Sequence, residues 1–255
     1  MHVHELICFG AHPGDGNPAL VIEDDGMDPA ARQAFAAARN TTCVFLSPDQ
    51  QVDYYYPHMR SPLCLHATLA VAAVLFSRAQ AVRTIAVRTA MKGQALELSR
   101  EDGRYFVKLA PQAVPQAAIG GGDIAALLNA PGLALASRPR VASVGSPKLL
   151  VEVEDADTLY GLAPDLAGIA AWGKAKGVNG LYVYCRLAEG IYEGRNFNHL
   201  DAALEDSATG VAAGALAAAL GHGLVLRQGR ATGRDCLIQA RVEDGAILVG
   251  GAAEG

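Results

Sequence analysis

The chain alternates short apolar runs with turn-forming polar residues, and one stretch breaks that rhythm. Residues 63–75 carry no charge, and none follows until Arg78. The run is too short to span a bilayer and continuous enough to predict a helix buried in a globular core. A helix buried in this way still has unpaired backbone N–H groups in its first turn, which together with the helix dipole favour a negative group there. Cys64, His66 and Thr68 place a thiol, an imidazole and a hydroxyl at that end.

The elements leading to this helix follow from local pattern. Residues 6–9 and 19–22 read as strands around a loop, 10–17, in which Gly14-Asp15-Gly16-Asn17-Pro18 has the chemistry of a plain turn. Asp28 and Pro29 form an N-cap and first helical residue for a helix through 38, with Phe35 on its inner face. β-Branched and aromatic residues make 40–46 a strand, and 53–56 another that holds Tyr54, Tyr55 and Tyr56. Residues 57–62, with a proline at each end, are a rigid loop delivering the chain to the helix. Beyond it, 84–89, 94–99 and 104–109 alternate as strands, and 123–128 is a short helix. By composition, 145–148 is the one stretch resembling a domain joint, just before a strand at 149–153.

The second half repeats the plan. Residues 157–166 carry turn and helix signals, 181–185 is a strand, and a long loop, 190–206, leads to Ser207-Ala208-Thr209. These three residues match His66-Ala67-Thr68, and each triplet precedes an Ala-rich apolar helix. Strands at 224–228, 236–242 and 246–249 follow. The expected architecture is α/β (α+β): two similar domains, 1–118 and 119–255, each with strands around a buried central helix, the first able to regain the last strand from the C-terminus.

Composition narrows the chemistry. At 255 residues and 51% hydrophobic, the chain is long enough for two medium domains with real cores. Its net charge of −5, with scattered Lys and Arg, offers no basic face for nucleic acid. No stretch suits a membrane span and the first residues lack a signal-peptide layout, so a cytoplasmic protein is expected. Cys8, Cys43, Cys64, Cys185 and Cys236 are odd in number and form no CxxC pair, which suits a reducing compartment and indicates neither a metal site nor a disulfide framework. No strand is followed by GxGxxG, which sets a nicotinamide enzyme aside.

Gly16-Asn17-Pro18-Ala19, Cys64-Leu65-His66-Ala67-Thr68-Leu69, Pro147-Lys148-Leu149-Leu150, residues 162–165 and Glu205-Asp206-Ser207-Ala208-Thr209-Gly210 resemble, in that order, the signature blocks of the PhzF family, which shares a fold with diaminopimelate epimerase and proline racemase. The resemblance implies that each domain is a barrel-like roll around its central helix. It also implies a cleft between the domains where both helix starts face a small anionic metabolite, an isomerase acting without metal or organic cofactor, and a homodimer. It places Asn17, Thr42, Leu65, Ala67, Thr68, Thr209 and Gly210 at the substrate.

The chain departs from the family pattern at four positions. Thr42 stands where the family has its catalytic glutamate, Leu65 replaces a glycine, Val211 a serine, and Arg60 an acidic residue, adding positive charge near the first helix start. Cys64 and Ser207 occupy the places of the two racemase cysteines. A thiol lowered by the helix N-terminus with Arg60 or His66 nearby is one good base, and the hydroxyl is a poor one, so the pair suits single-sided deprotonation. Asp206 either binds a substrate amine or accepts its proton, besides serving as an N-cap; His66 is a fixed hydrogen-bond donor. His12 and Asp15 line the first loop, and His58 and His199 are loop histidines. The catalytic set is therefore Cys64, His66, Asp206 and Ser207. The alternative to an isomerase is a family member that has lost catalysis with its glutamate and binds a small molecule.

Overall fold

The computed structural model describes every residue, Met1–Gly255. The chain forms two units, Met1–Leu109 with Leu248–Gly255, and Ala110–Ile247, the division falling after Leu109 rather than at 118. The first unit holds β1 His2–Cys8, β2 Asn17–Glu23, α1 Pro29–Arg39, β3 Thr42–Leu46, β4 Gln51–Tyr56, β5 Met59–Ser61, α2 Leu65–Arg78, β6 Thr84–Thr89, β7 Ala95–Glu101 and β8 Arg104–Leu109. The second holds α3 Gly121–Leu127, β9 Arg140–Ala142, β10 Lys148–Glu152, α4 Ala156–Gly161, α5 Leu166–Lys176, β11 Leu181–Ala188, β12 Ile191–Phe197, α6 Gly210–Leu220, β13 Leu224–Gln228 and β14 Cys236–Glu243. β15 Ala246–Gly251 and β16 Ala253–Glu254 return the chain to the first unit.

Strand order in the first unit is β16-β1-β2-β3-β4-β6-β7-β8-β15, with β5 paired to β4. α2 packs on β1, β2, β3, β7, β8 and β16, as a central helix in a roll must. Every residue from Leu65 to Val74 is buried, and each Leu or Val removed from water in this way stabilises by about 1.5–3 kcal/mol. The strands sort their side chains between two helices by simple alternation. Leu20, Ile22, Cys43, Phe45 and Tyr55 cluster on the α1 side with Ala36 and Phe35. Register pairs Cys8 with Asn17, Ala19 with Thr42, and Val44 with Tyr54, placing all six on the opposite, α2-facing side. The expected turn before β2 is real and tight: Gly16 has φ +113°, and a Cβ there would sit 2.4 Å from the carbonyl oxygen of Cys8, a conformation and an approach open only to glycine.

In the second unit the order is β14-β13-β12-β11-β10-β9, and α6 packs on β9, β10 and β14. The opposite face of β10 and β11 is closed by α3, α4 and α5 over a core of Leu149, Val151, Leu181, Val183 and Phe197. Glycine and alanine fill most of α6, and all but Val211 of Gly210–Ala217 are buried.

Four expectations are corrected. Residues 57–62 are not all loop, because β5 folds back on β4 as a hairpin, with Tyr55 opposite Arg60. The stretch 190–206 contains β12, which pairs with β11 from Phe197 to Ile191. Its polar sequence hides a strand in which Gly194 leaves room for Tyr182, whose ring carbons lie 2.6 Å from where a Cβ would be. α5, from Leu166 to Lys176, lies beyond the helix signals read at 157–166. The compositional joint at 145–148 is internal to the second unit, held by Asn179, whose amide group donates to Ser146 Oγ at 2.7 Å and whose backbone N–H donates to the Pro147 carbonyl at 2.7 Å.

One buried ion network fixes the approach to α2. Asp53, 3% exposed, accepts from Arg60 Nε and Nη2 at 2.7 and 3.0 Å, from Arg32 Nη1 at 3.0 Å and from the Tyr55 hydroxyl at 3.2 Å. Arg32 is shared with Asp25. Asp53→Asn leaves two guanidinium groups partly uncompensated and is expected to cost about 2–4 kcal/mol in urea unfolding, somewhat below the full penalty for breaking a buried pair because Arg60 keeps access to water. A loss under 1 kcal/mol would show that the network is solvated and not structural.

Candidate active site

In the first unit the chain enters α2 through Cys64, the N-cap, 2% exposed and in extended conformation. No side chain caps the helix, so its first-turn N–H groups remain for other acceptors. What fixes the entry is Thr68. Its hydroxyl donates to the Cys64 carbonyl at 2.7 Å and therefore accepts from the Tyr54 hydroxyl, also at 2.7 Å, which ties the helix start to β4. Leu65 and Ala67 are buried beside it.

Cys64 and His66 form a pair. The Cys64 sulfur lies 3.4 Å from His66 Nδ1 and 3.7 Å from Nε2. Burial pushes the thiol up, but the charge of His66, its hydrogen bond, a hydrogen bond from Tyr56 and the pull of the Ala67 N–H outweigh burial and bring it below the ordinary thiol value. Of the two cations that the sequence offered, Arg60 or His66, it is His66 that touches the sulfur, while Arg60 is paired with Asp53. Three other thiols behave differently. Burial pushes Cys43 and Cys185 up to about 11, and burial with the charge of Cys64 raises Cys8 further still.

Tyr56 is the residue that sequence reading missed. It sits two positions after Tyr54 on β4, so alternation alone puts both on the α2 side; the end of its strand is held by Gln33 of α1, which donates to the Tyr56 carbonyl at 2.8 Å. Asn17, buried, and Thr42, half-buried, lie on that same sheet face. His58 is exposed and stacks on Tyr56, and His12 is exposed in the first loop.

In the second unit the matching triplet is displaced by helical phase. Ser207 and Ala208 precede the helix and Thr209 is its N-cap, whereas His66 and Ala67 already lie inside α2. The threonine is nonetheless clamped in the same manner. Thr209 Oγ1 donates to Asp206 Oδ2 at 2.7 Å and accepts from Gln228 Nε2 at 3.0 Å, and Gln228 also donates to the Asp206 carbonyl at 2.6 Å and accepts from Thr209 N and the Tyr182 hydroxyl. Asp206 is half-buried. Ser207 lies 2.7 Å from the Thr232 hydroxyl, whose own proton goes to the Gly229 carbonyl, so Ser207 is the donor and its proton is committed. Glu205 is neutralised by a two-point contact with Arg195. His199, with Arg195, Asn196 and Glu205, borders a concavity of about 310 Å³ that does not include Asp206 or Ser207.

The thiol assignment is open to direct measurement. Ultraviolet thiolate absorbance of the protein minus that of Cys64→Ser should rise at a midpoint below the value of about 8.5 for a free thiol. If the difference curve is flat up to that pH, Cys64 is an inert core cysteine.

Comparison with known proteins places these features in context. Residues 7–254 match the family described as phenazine biosynthesis-like protein. An uncharacterized isomerase of Deinococcus radiodurans is 32% identical, over 90% of this chain and 80% of its own length. The trans-2,3-dihydro-3-hydroxyanthranilate isomerase of Pseudomonas fluorescens is 28% identical over 95% and 91%. Among solved structures, a predicted epimerase from Pseudomonas aeruginosa aligns with a TM-score of 0.80 at 26% identity, covering 99% of this chain and 95% of that one. With two units built on central helices, and with a match running from β1 to the last strand, the chain belongs to the phenazine biosynthesis-like, or PhzC-PhzF, family.

Proposed function

We propose that this protein is an isomerase that moves a proton on a small carboxylate-bearing metabolite without an organic cofactor or metal. The Cys64–His66 pair carries the reading, since it is a thiol biased toward thiolate and touching an imidazole at an uncapped helix start. The first-turn N–H groups of α2 and α6 suit the substrate carboxylate, each helix end contributing up to about 2 kcal/mol when partly buried. The Cys64 thiolate takes the proton from one end of an allylic C–C=C unit, the double bond shifts as the electron pair moves to the carboxylate-bearing carbon at the other end, and the protonated imidazole of His66 returns a proton to that carbon, two positions from the first. Asp206 accepts a hydrogen bond from an N–H or O–H of the substrate. Taking the two helix starts as halves of one site follows the family resemblance. Names of relatives support the reaction class, three of those matched being isomerases or a predicted epimerase.

The departure at Thr42 bears on mechanism. A hydroxyl at the start of β3 has no useful basicity near neutral pH, so a glutamate-based route is closed and the thiol is the available base. The same departure supports a second reading, a binding protein that has lost catalysis. Incubation with unsaturated carboxylic acids in heavy water, trans-2,3-dihydro-3-hydroxyanthranilate among them, followed by proton NMR, separates the two. Deuterium should enter the carbon acid, and Cys64→Ala should slow entry by about 10²- to 10⁴-fold, the usual cost of removing a positioned acid–base group. Tight binding with no exchange in the unmodified protein would establish the binder, and unchanged exchange in Cys64→Ala would dismiss the thiol.

A further inference from the structure

Gln228 ends β13 and is 2% exposed. It bonds to Tyr182 on the sheet face that meets α6, and register places Lys148, Leu150 and Asn196 on that face as well. Two polar groups there, the amine of buried Lys148 and Oδ1 of Asn196, have no hydrogen-bond partner. Gln228 is the opposite case. Its Oε1 accepts from Thr209 N at 3.2 Å and from the Tyr182 hydroxyl at 2.9 Å, and its Nε2 donates to the Asp206 carbonyl at 2.6 Å and to Thr209 Oγ1 at 3.0 Å. That is the full capacity of a side-chain amide.

The directions of these bonds cannot be exchanged. A backbone N–H only donates and a backbone carbonyl only accepts, so Thr209 N fixes Oε1 on one side and the Asp206 carbonyl fixes Nε2 on the other. Because an N–H of Nε2 points at Thr209 Oγ1, the hydroxyl proton must go elsewhere, and it goes to Asp206 Oδ2 at 2.7 Å. One amide therefore grips Asp206 twice, directly at the carbonyl and through Thr209 at the carboxylate. The chain that follows Gln228 is seated against the same segment. Gly229 has φ +106°, and a Cβ there would lie 3.0 Å from the Ser207 carbonyl oxygen; three residues further on, the Thr232 hydroxyl meets Ser207 Oγ at 2.7 Å.

We infer that Gln228 is a positioning residue for Asp206: by keeping the Thr209 hydroxyl proton on Oδ2, it fixes the plane of the carboxylate and turns Oδ1 toward the N–H or O–H of the substrate. The inference rests on the proposed role of Asp206 at the substrate, but it is tested in the resting protein as well as in turnover.

Crystal structures of two variants give the resting test. Gln228→Met keeps the length of the side chain and removes every polar atom, and the Asp206 carboxylate should leave its present rotamer. Thr209→Val, which removes only the hydroxyl, should displace it too, and covers the case in which Gln228→Met does not fold. An Asp206 carboxylate unmoved in a folded variant overturns the inference. In the deuterium-exchange reaction, Gln228→Met should raise KM by about tenfold, the worth of one hydrogen bond to a charged group. Its kcat should stay within about twofold, because what is lost is binding and not proton transfer at Cys64. A fall in kcat at unchanged KM, as a merely structural role would give through loss of folded protein, overturns the inference equally. A displaced Asp206 in a protein that shows no exchange would leave the positioning role standing and remove the isomerase reading; exchange with Asp206 unmoved would do the reverse.

Discussion

A helix that begins inside a domain strands its first-turn N–H groups away from water, and both units of this protein are arranged around that constraint. Neither α2 nor α6 has a side-chain cap, so the entry must be held by other means. In each case the means is a threonine hydroxyl that donates backward to the chain just before it and accepts from a residue on a strand, Tyr54 for Thr68 and Gln228 for Thr209. The clamp fixes the helix start without consuming its N–H groups. The clamps themselves take none of the first-turn donors, and the dipole of an ordered helix end favours a negative group arriving there.

The same clamp allows the halves to differ. Because Thr68 lies inside α2 and Thr209 caps α6, the residue two positions earlier is helical in one unit and outside the helix in the other. His66 is thereby turned back onto Cys64, whereas Ser207 is turned onto Thr232 and loses the use of its proton. A half-repeat faint in sequence thus yields two chemically unequal helix starts, one with a thiol against an imidazole and one with a carboxylate.

Much of this was legible in the residues. Asp28 and Pro29 mark the start of α1, and Asp28 Oδ1 accepts from Ala31 N at 2.8 Å as an N-cap should; the uncharged run to Arg78 is the central helix; alternation locates most strands. What escaped depended on partners distant in sequence. β12 reads as loop because Glu193, Gly194, Arg195 and Asn196 are polar or small, and they are so because their partners are Tyr160, the Tyr182 ring, Glu205 and Asn198. Arg60 looked like a charge for the helix start, and only the hairpin at β5 delivers it to Asp53. Lys148, within a family-like block, gave no sign of burial, since lysine on a strand is usually at an edge or a surface.

In the proposed reading the two helix starts play unequal parts, and the difference lies in what each can do with a proton. His66 touches the Cys64 sulfur, so a proton can pass between them and the pair can both take and return one. Direct contact suits the group that must change protonation state in each turnover. With Ser207 already committed to Thr232, the second unit has no hydroxyl proton to spare. In the proposed reading, then, proton transfer belongs to the thiol–imidazole pair, and the part of α6 and Asp206 is to hold the substrate still while it occurs.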